Sequence, residues 1–185
     1  MSTMQQREAT WARVARRIRV PLGFVFAVVY LLLAKPTGNS LIIGALIVMP
    51  GLVVRALASG HVRKNEQLTT SGPYAYTRNP LYLGSLMLAA GFAVAARSWW
   101  IVGLMLLMFA AIYIPVIASE ERYLKHTFGE FEDYARNVPR LLPRMSPHRS
   151  SDGAFSAQLY WKHREYQAAL GSAALIAVLI LKLVW

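Results

Sequence analysis

Between residues 74 and 82 the chain reads Tyr-Ala-Tyr-Thr-Arg-Asn-Pro-Leu-Tyr, and Glu120 and Glu121 stand side by side further on. These side chains supply a planar cation (Arg78), an amide (Asn79), aromatic rings with hydroxyl tips (Tyr74, Tyr76, Tyr82) and paired carboxylates. Brought together, they could hold a cation against aromatic faces and move a proton. Taken singly, each has an ordinary reading. Asn79-Pro80 is a favourable helix start, with Asn as N-cap and proline at the first helical position. Gly72-Pro73 is turn chemistry. The tyrosines fit an interfacial belt and Arg78 a topology anchor. Glu120 and Glu121 are harder to absorb, because adjacent carboxylates at the end of an apolar helix are costly without a cation nearby. Pairing with Arg78, Arg122 or Lys125 is their structural alternative.

The elements that must position these groups are membrane helices. Of 185 residues, 56% are hydrophobic and only 16% charged, against about 25% charged in an ordinary soluble domain. Five apolar runs stand out, at 20–34, 41–58, 81–96, 99–118 and 168–185. A span needs roughly 17–25 residues, so the first and third runs are short. Pro50-Gly51 predicts a kink in the second. The third and fourth runs are joined only through Arg97 and Ser98, which forces an antiparallel hairpin. The start of the third helix therefore lies near the end of the fourth, and Arg78, Asn79, Tyr82, Glu120 and Glu121 meet at one membrane face. The predicted fold class is all-α, a polytopic membrane protein of about five transmembrane helices with a cytoplasmic amphipathic helix after the fourth.

The net charge of +11 does not indicate nucleic acid, because Lys and Arg flank the apolar runs instead of forming a basic domain. Arg13, Arg16, Arg17 and Arg19 precede the first run. Arg63, Lys64 and Arg78 follow the second, with Arg55 just inside it. Basic residues are dense over 119–165 and sparse in the other connections. The positive-inside rule then places the N-terminus, the 59–80 loop and the 119–165 segment in the cytoplasm and Trp185 outside. No cleavable signal peptide is expected. Glu120 to Tyr134 reads as an amphipathic helix, with Leu124, Phe128, Phe131 and Tyr134 at spacings of three to four. Val138 to Pro147, with three prolines, reads as extended, and Ser150 to Ala154 as a flexible joint. There is no cysteine. His61, His126, His148 and His163 are scattered, so no metal site is expected.

The stretches Leu68–Tyr74 and Arg78–Gly84, followed by Glu120-Glu121-Arg122-Tyr123-Leu124, Phe128-Gly129, Phe131, Tyr134 and Val138–Pro143, resemble the signature of the isoprenylcysteine carboxyl methyltransferases and their phospholipid methyltransferase relatives. Asn79 stands where many isoprenylcysteine enzymes have His. The resemblance implies a single membrane domain over 1–185. Within it lies a methyltransferase-like core at 68–143, and 156–185 adds a C-terminal interfacial and transmembrane helix. It implies S-adenosylmethionine as cofactor, with S-adenosylhomocysteine as product. Tyr74, Arg78, Asn79, Pro80, Tyr82, Glu120 and Glu121 would line the pocket, with the paired acids at the cofactor's amino end. Arg78, Glu121 and Arg140 are the candidate catalytic residues. Glu121 is expected to serve cofactor binding more than folding.

Methyl transfer from a sulfonium is an in-line displacement that works mainly by positioning and exclusion of water. A carboxylate acceptor would need a cation such as Arg78 or Arg140. An amine would need to give a proton to Glu121 or a His. The expected partner is a lipid or prenylated small molecule met at the bilayer, in the inner membrane if the source is bacterial. The acceptor itself stays open between an isoprenylcysteine-type carboxylate, a phospholipid amine and an isoprenoid acid. Two other classes are a nicotinamide-dependent, sterol-reductase-like enzyme and a non-catalytic membrane subunit.

Overall fold

The structure is a computed structural model that describes residues 21–63, 66–148 and 153–185. The basic cluster at Arg13–Arg19, Lys64 and most of the Ser150–Ala154 joint lie outside the described residues. Regular structure among the described residues is entirely helical. Helix α1 covers Pro21–Leu33, α2 Gly38–His61, α3 Pro80–Ala96 and α4 Trp99–Thr127. Short α5 (Phe131–Asn137) and α6 (Ala157–Lys162) precede α7 (Tyr166–Val184). The protein is a polytopic membrane protein. Helices α2, α4 and α7 are long and apolar enough to cross a bilayer, whereas α1 and α3 are shorter apolar helices. Large apolar side chains such as Phe24, Leu32, Leu46, Leu107 and Val178 face outward. In water that arrangement would be unfavourable; in lipid the outer surface has no reason to be polar.

Helices α2 and α3 are held together by glycine. A Cβ added to Gly44 would lie 2.6 Å from the Gly91 carbonyl oxygen, and one on Gly84 would lie 2.8 Å from that of Gly51. The two backbones touch, as small residues allow in membranes. The α2 start is fixed by a capping box, in which Thr37 and Ser40 bond each other's backbone N–H. Ser40 Oγ also donates to the Ala95 carbonyl. A core of Tyr30, Val48, Phe92, Ile101 and Leu179 ties in α1, α4 and α7. The Tyr30 hydroxyl donates to the Phe92 carbonyl at 2.8 Å. Helix α2 stays helical through Pro50.

The tight α3–α4 link is present, with Arg97 in the left-handed region at φ 51°. Two features differ from the sequence expectations. Helix α4 runs on through Glu120 to Thr127, and the expected 120–134 helix is broken around Phe128–Glu130 before α5 begins. The periodic set Leu124, Phe128, Phe131 and Tyr134 still gathers on one side. It packs with Val138 and Leu68 into a small internal core, so this face is turned toward the protein's own loop. In addition, α4 contains a π-helical turn over Phe109–Tyr113, just before Pro115. Proline cannot supply the usual backbone donor, and a π-turn is one way a helix absorbs that loss.

The Pro-rich segment after α5 is extended and docks on the 75–78 backbone. Arg78 N–H donates to the Pro139 carbonyl, Arg144 N–H to Tyr76 and His148 N–H to Ala75. The start of α7 lies against α2, because Glu165 pairs with Arg55. Its far end reaches α1, where Lys182 donates to the Leu31 carbonyl. Residues 61–63, 66–80, 120–148 and 155–165 thus gather at one end of the bundle. The links at 34–37 and 97–98 and the α7 C-terminus lie at the other.

Candidate functional site

At the first of these ends, α2, α3, α4, α5, residues 62–63 and 67–69, and His163 and Glu165 line a cavity of about 670 Å³, within the usual range for small-molecule sites. Tyr74, Arg78, Asn79, Pro80, Tyr82, Glu120 and Glu121 all line it. Arg140 does not line it but acts on it through Glu121, donating from Nε (2.8 Å) and lying 2.6 Å away through Nη2. The structure therefore brings the candidate residues together, those of the hairpin in the cavity wall and Arg140 behind Glu121.

Glu121 is buried and its carboxylate is crowded by donors. Asn79 Nδ2 donates to Oε1 at 3.2 Å, Arg78 Nε lies 3.4 Å from Oε1, and Arg140 holds Oε2. Asn79 occupies the N-cap position of α3, yet its side chain makes no capping bond. It donates instead to Glu121 and to the Arg140 carbonyl. Thr77 Oγ1 reaches the Arg140 and Leu141 carbonyls, so the Pro-rich segment is stitched to the motif loop on both sides of Arg78.

Arg78 itself is poorly satisfied. Its Nε is buried without a hydrogen bond, and no other nitrogen of its guanidinium has a hydrogen-bond partner among the described residues. Its remaining contact is with the Phe131 ring, 6.0 Å from the centroid. A cation in this state is prepared for an anionic oxygen group. Glu120 is exposed to the cavity and accepts from the Tyr82 hydroxyl at 3.0 Å. The Tyr82 ring meets Tyr113 edge-on at 5.9 Å. Tyr74 is buried, and its phenol pKa is pushed well up, first by burial and then by neighbours that include Glu120 and Glu165. It stays protonated, so its hydroxyl keeps a proton to donate.

The cavity has a second polar side that the sequence reading left out. Arg55 of α2 pairs through Nε with Glu165, and through Nη1 donates to Ser85 and to the Leu81 carbonyl. Its stem lies where a Cβ on Gly84 would be, 2.5 Å away, so the motif glycine makes room for it. His163 also lines this side and contacts the Ser59 carbonyl through Nδ1 at 3.0 Å. The signals were available: Arg55 and Glu165 are ionisable groups inside and beside apolar runs, and Pro115 marks the distortion that carries Tyr113. Among the described residues no group of three or more His, Cys, Asp or Glu is placed to hold a metal ion.

A membrane-helix bundle with a cavity of arginines, glutamates and tyrosines at one end defines a class of integral membrane protein with a candidate site at that end. The phospholipid methyltransferase family model matches residues 37–131. The chain belongs to that family, within the isoprenylcysteine and phospholipid methyltransferase superfamily. Curated relatives include the cobalt-zinc-cadmium resistance protein CzcN of Cupriavidus metallidurans, 41% identical over 47% of this chain and 40% of the relative. The nickel-cobalt-cadmium resistance protein NccN of Alcaligenes xylosoxydans xylosoxydans is 40% identical over 48% of this chain and 41% of its own length. A protein-S-isoprenylcysteine O-methyltransferase of Schizosaccharomyces pombe is 27% identical over 72% of this chain and 59% of the relative. The matches therefore span about two fifths of the first two relatives. No solved structure matches.

Proposed function

We propose that the chain binds S-adenosylmethionine in this cavity and transfers its methyl group to a hydrophobic acceptor carried by the membrane. The observation that carries the reading is Arg78, a partly buried guanidinium whose buried Nε makes no hydrogen bond, beside a cavity-facing Glu120 and a group of tyrosines. These residues fit the cofactor's charges. Arg78 would take its carboxylate and Glu120 its amino group, while Tyr82 fixes Glu120. Glu121 is a positioning residue: it steadies Arg78 and Asn79, and Arg140 steadies Glu121. Tyr74, Tyr82 and Tyr113 offer ring faces to a sulfonium, each contact being worth roughly 0.5–2 kcal/mol. When bound, the cofactor supplies an electrophilic methyl carbon on a positively charged sulfur.

The Lys/Arg distribution supports a cytoplasmic cavity end. The family match and the isoprenylcysteine methyltransferase relative support methyl transfer over nicotinamide chemistry. The test is a melting experiment on the purified protein with S-adenosylhomocysteine or NADPH. It is followed by transfer of labelled methyl into a polar lipid extract. Stabilisation by S-adenosylhomocysteine at a hundred times its Kd should amount to about 2.7 kcal/mol. Absence of that shift, with no labelled lipid product, would falsify the reading.

A further inference from the structure

The chain leaves the membrane in α4 and returns to it in the Pro-rich segment. Helix α4 has 29 residues, a rise of about 44 Å against a hydrocarbon core of about 30 Å. Its last turns, which end at Thr127, therefore stand clear of the lipid, and α5 follows them. Helix α3 is the opposite case. Its 17 residues rise only about 26 Å, so in a bilayer both of its ends lie at or within the headgroup boundary. Residues 75–79, which lead into it, start at that depth. The Pro-rich segment is bonded to them. Arg78 N–H donates to the Pro139 carbonyl at 2.9 Å, Arg144 N–H to Tyr76 at 3.0 Å and His148 N–H to Ala75 at 2.9 Å. Backbones joined in this way run about 5 Å apart. The loop from Val138 to His148 thus comes back down to headgroup depth.

This loop is fixed at its base and apolar where it is open. Arg144 Nη1 donates to the Asn137 carbonyl at 2.9 Å, which closes it. Thr77 Oγ1 and Asn79 Nδ2 hold the Arg140 carbonyl from within. Beside these fixed points Leu142 is 77% exposed and Met145 100%. They sit on no apolar helix, yet the backbone holds them outward. Tyr76, whose carbonyl takes the Arg144 N–H, is exposed too, and tyrosine favours the headgroup level. The charge is one-sided. From Val138 to His148 there is no acidic residue, and Arg140 and Arg144 fall within the loop. Arg136, just before it, is exposed. The neighbouring acids of α5 are engaged elsewhere: Glu132 pairs with Lys125 at 2.8 Å, and Asp133 Oδ1 accepts from Asn137 at 3.5 Å.

We infer that this loop is a membrane anchor. Leu142 and Met145 enter the headgroup layer of the protein's own bilayer, and Arg136 and Arg144 meet the anionic phosphate groups of that leaflet. An apolar side chain of this size prefers apolar surroundings roughly ten- to a hundredfold when fully buried. Each basic residue near an anionic surface adds roughly fivefold. The anchor does not depend on the methyl-transfer reading, since it follows from the depth of α3 and the bonds to residues 75–78.

The chain has no cysteine, so single labels can be placed cleanly. Leu142→Cys, Met145→Cys and, as an aqueous reference in the last turn of α4, His126→Cys are each made in the full chain and spin-labelled. They are reconstituted in vesicles of phosphatidylcholine with phosphatidylglycerol. Oxygen concentrates in lipid and a nickel chelate in water, so the ratio of their effects on the label reads its depth. That ratio should be about tenfold higher at 142 and 145 than at 126. In phosphatidylcholine alone it should fall at both positions. Both native side chains are exposed, so the two variants should melt with the wild-type protein, and each position reads the contact independently. Labels at 142 and 145 that match the one at 126 would overturn the inference. An unchanged ratio in phosphatidylcholine would overturn it as well, because anionic headgroups would then play no part. Protection from both reagents that varies with the protein-to-lipid ratio would mark contact with a second copy of the chain and would also overturn it.

Discussion

Adjacent glutamates in one helix have opposite surroundings. Glu121 is buried with donors on both oxygens, while Glu120 is exposed to the cavity and bonded to Tyr82. Their neutral variants should separate accordingly. Glu120→Gln should leave the melting temperature of the apo protein in place and weaken S-adenosylhomocysteine binding. A charge-assisted hydrogen bond of about 1.5–3 kcal/mol is lost, equivalent to roughly ten- to a hundredfold in Kd. Glu121→Gln should also lower apo stability, on the order of 1–3 kcal/mol, because Arg78 and Arg140 lose their common acceptor. Titration and melting on the same two proteins check this. Equal effects on both quantities in both variants would remove the division of labour. At Arg140, Lys keeps the charge but cannot reproduce a guanidinium's two donors on one oxygen. Arg140→Lys should therefore resemble a mild Glu121→Gln, and the double variant should lose less than the sum of the two. The cluster of Arg78, Asn79 and Glu121 was legible in the sequence because a short link between two apolar runs allows only one pairing. The Arg55–Glu165 pair was not. Its partners are 110 residues apart, and no periodicity connects the second run to the last.

At the level of elements, the α2–α3 seam sets where the motif loop begins. Gly91 has no room for a side chain, whereas a Cβ on Gly103 of α4 would meet nothing within 4 Å. Gly91→Ala should thus cost stability, about 1–3 kcal/mol by overpacking. Gly103→Ala should be neutral or slightly stabilising, since alanine is the better helix former. Melting of both variants in the same detergent checks the pair, and equal effects would remove the seam's special role. The five apolar runs announced these helices, and the shortness of the first and third was visible in their length. Where α4 ends was not. Nothing in the local pattern distinguishes a helix that stops at Glu120 from one that runs on to Thr127. The choice is made by the packing of Leu124 with Leu68, Phe131 and Tyr134. Similarly, the amphipathic spacing over 120–134 was real, but the helix breaks within it. The apolar face therefore covers an internal core where a membrane surface was expected.

For the whole molecule, the alternation of basic and nearly neutral connections corresponds to the two ends of the bundle, with the cavity at the basic one. Reporter fusions at residues 60, 148 and 185 should place the first two on the same side, the cytoplasm, and the last on the other. A cytoplasmic signal at 185 would overturn that orientation.

The cavity lining also bears on how this protein behaves in salt. The chain has nine acidic residues against twenty Lys and Arg. Yet Arg55, Arg63 and Arg78 in the lining are matched by Glu120, Glu121 and Glu165. One third of the molecule's negative charge is concentrated where a cationic sulfur would sit, so the site is locally neutral inside a strongly basic protein. The surrounding positive field is exterior and is screened within about 10 Å at 0.1 M salt and about 3 Å at 1 M. The Arg55–Glu165 and Arg78–Glu121 pairs are largely buried and are screened much less. Affinity for S-adenosylmethionine should accordingly change less than about threefold between 0.05 and 0.5 M sodium chloride, as measured by calorimetric titration. A steep rise in affinity with salt would mean that the exterior charge, not the balanced interior, governs what the site admits.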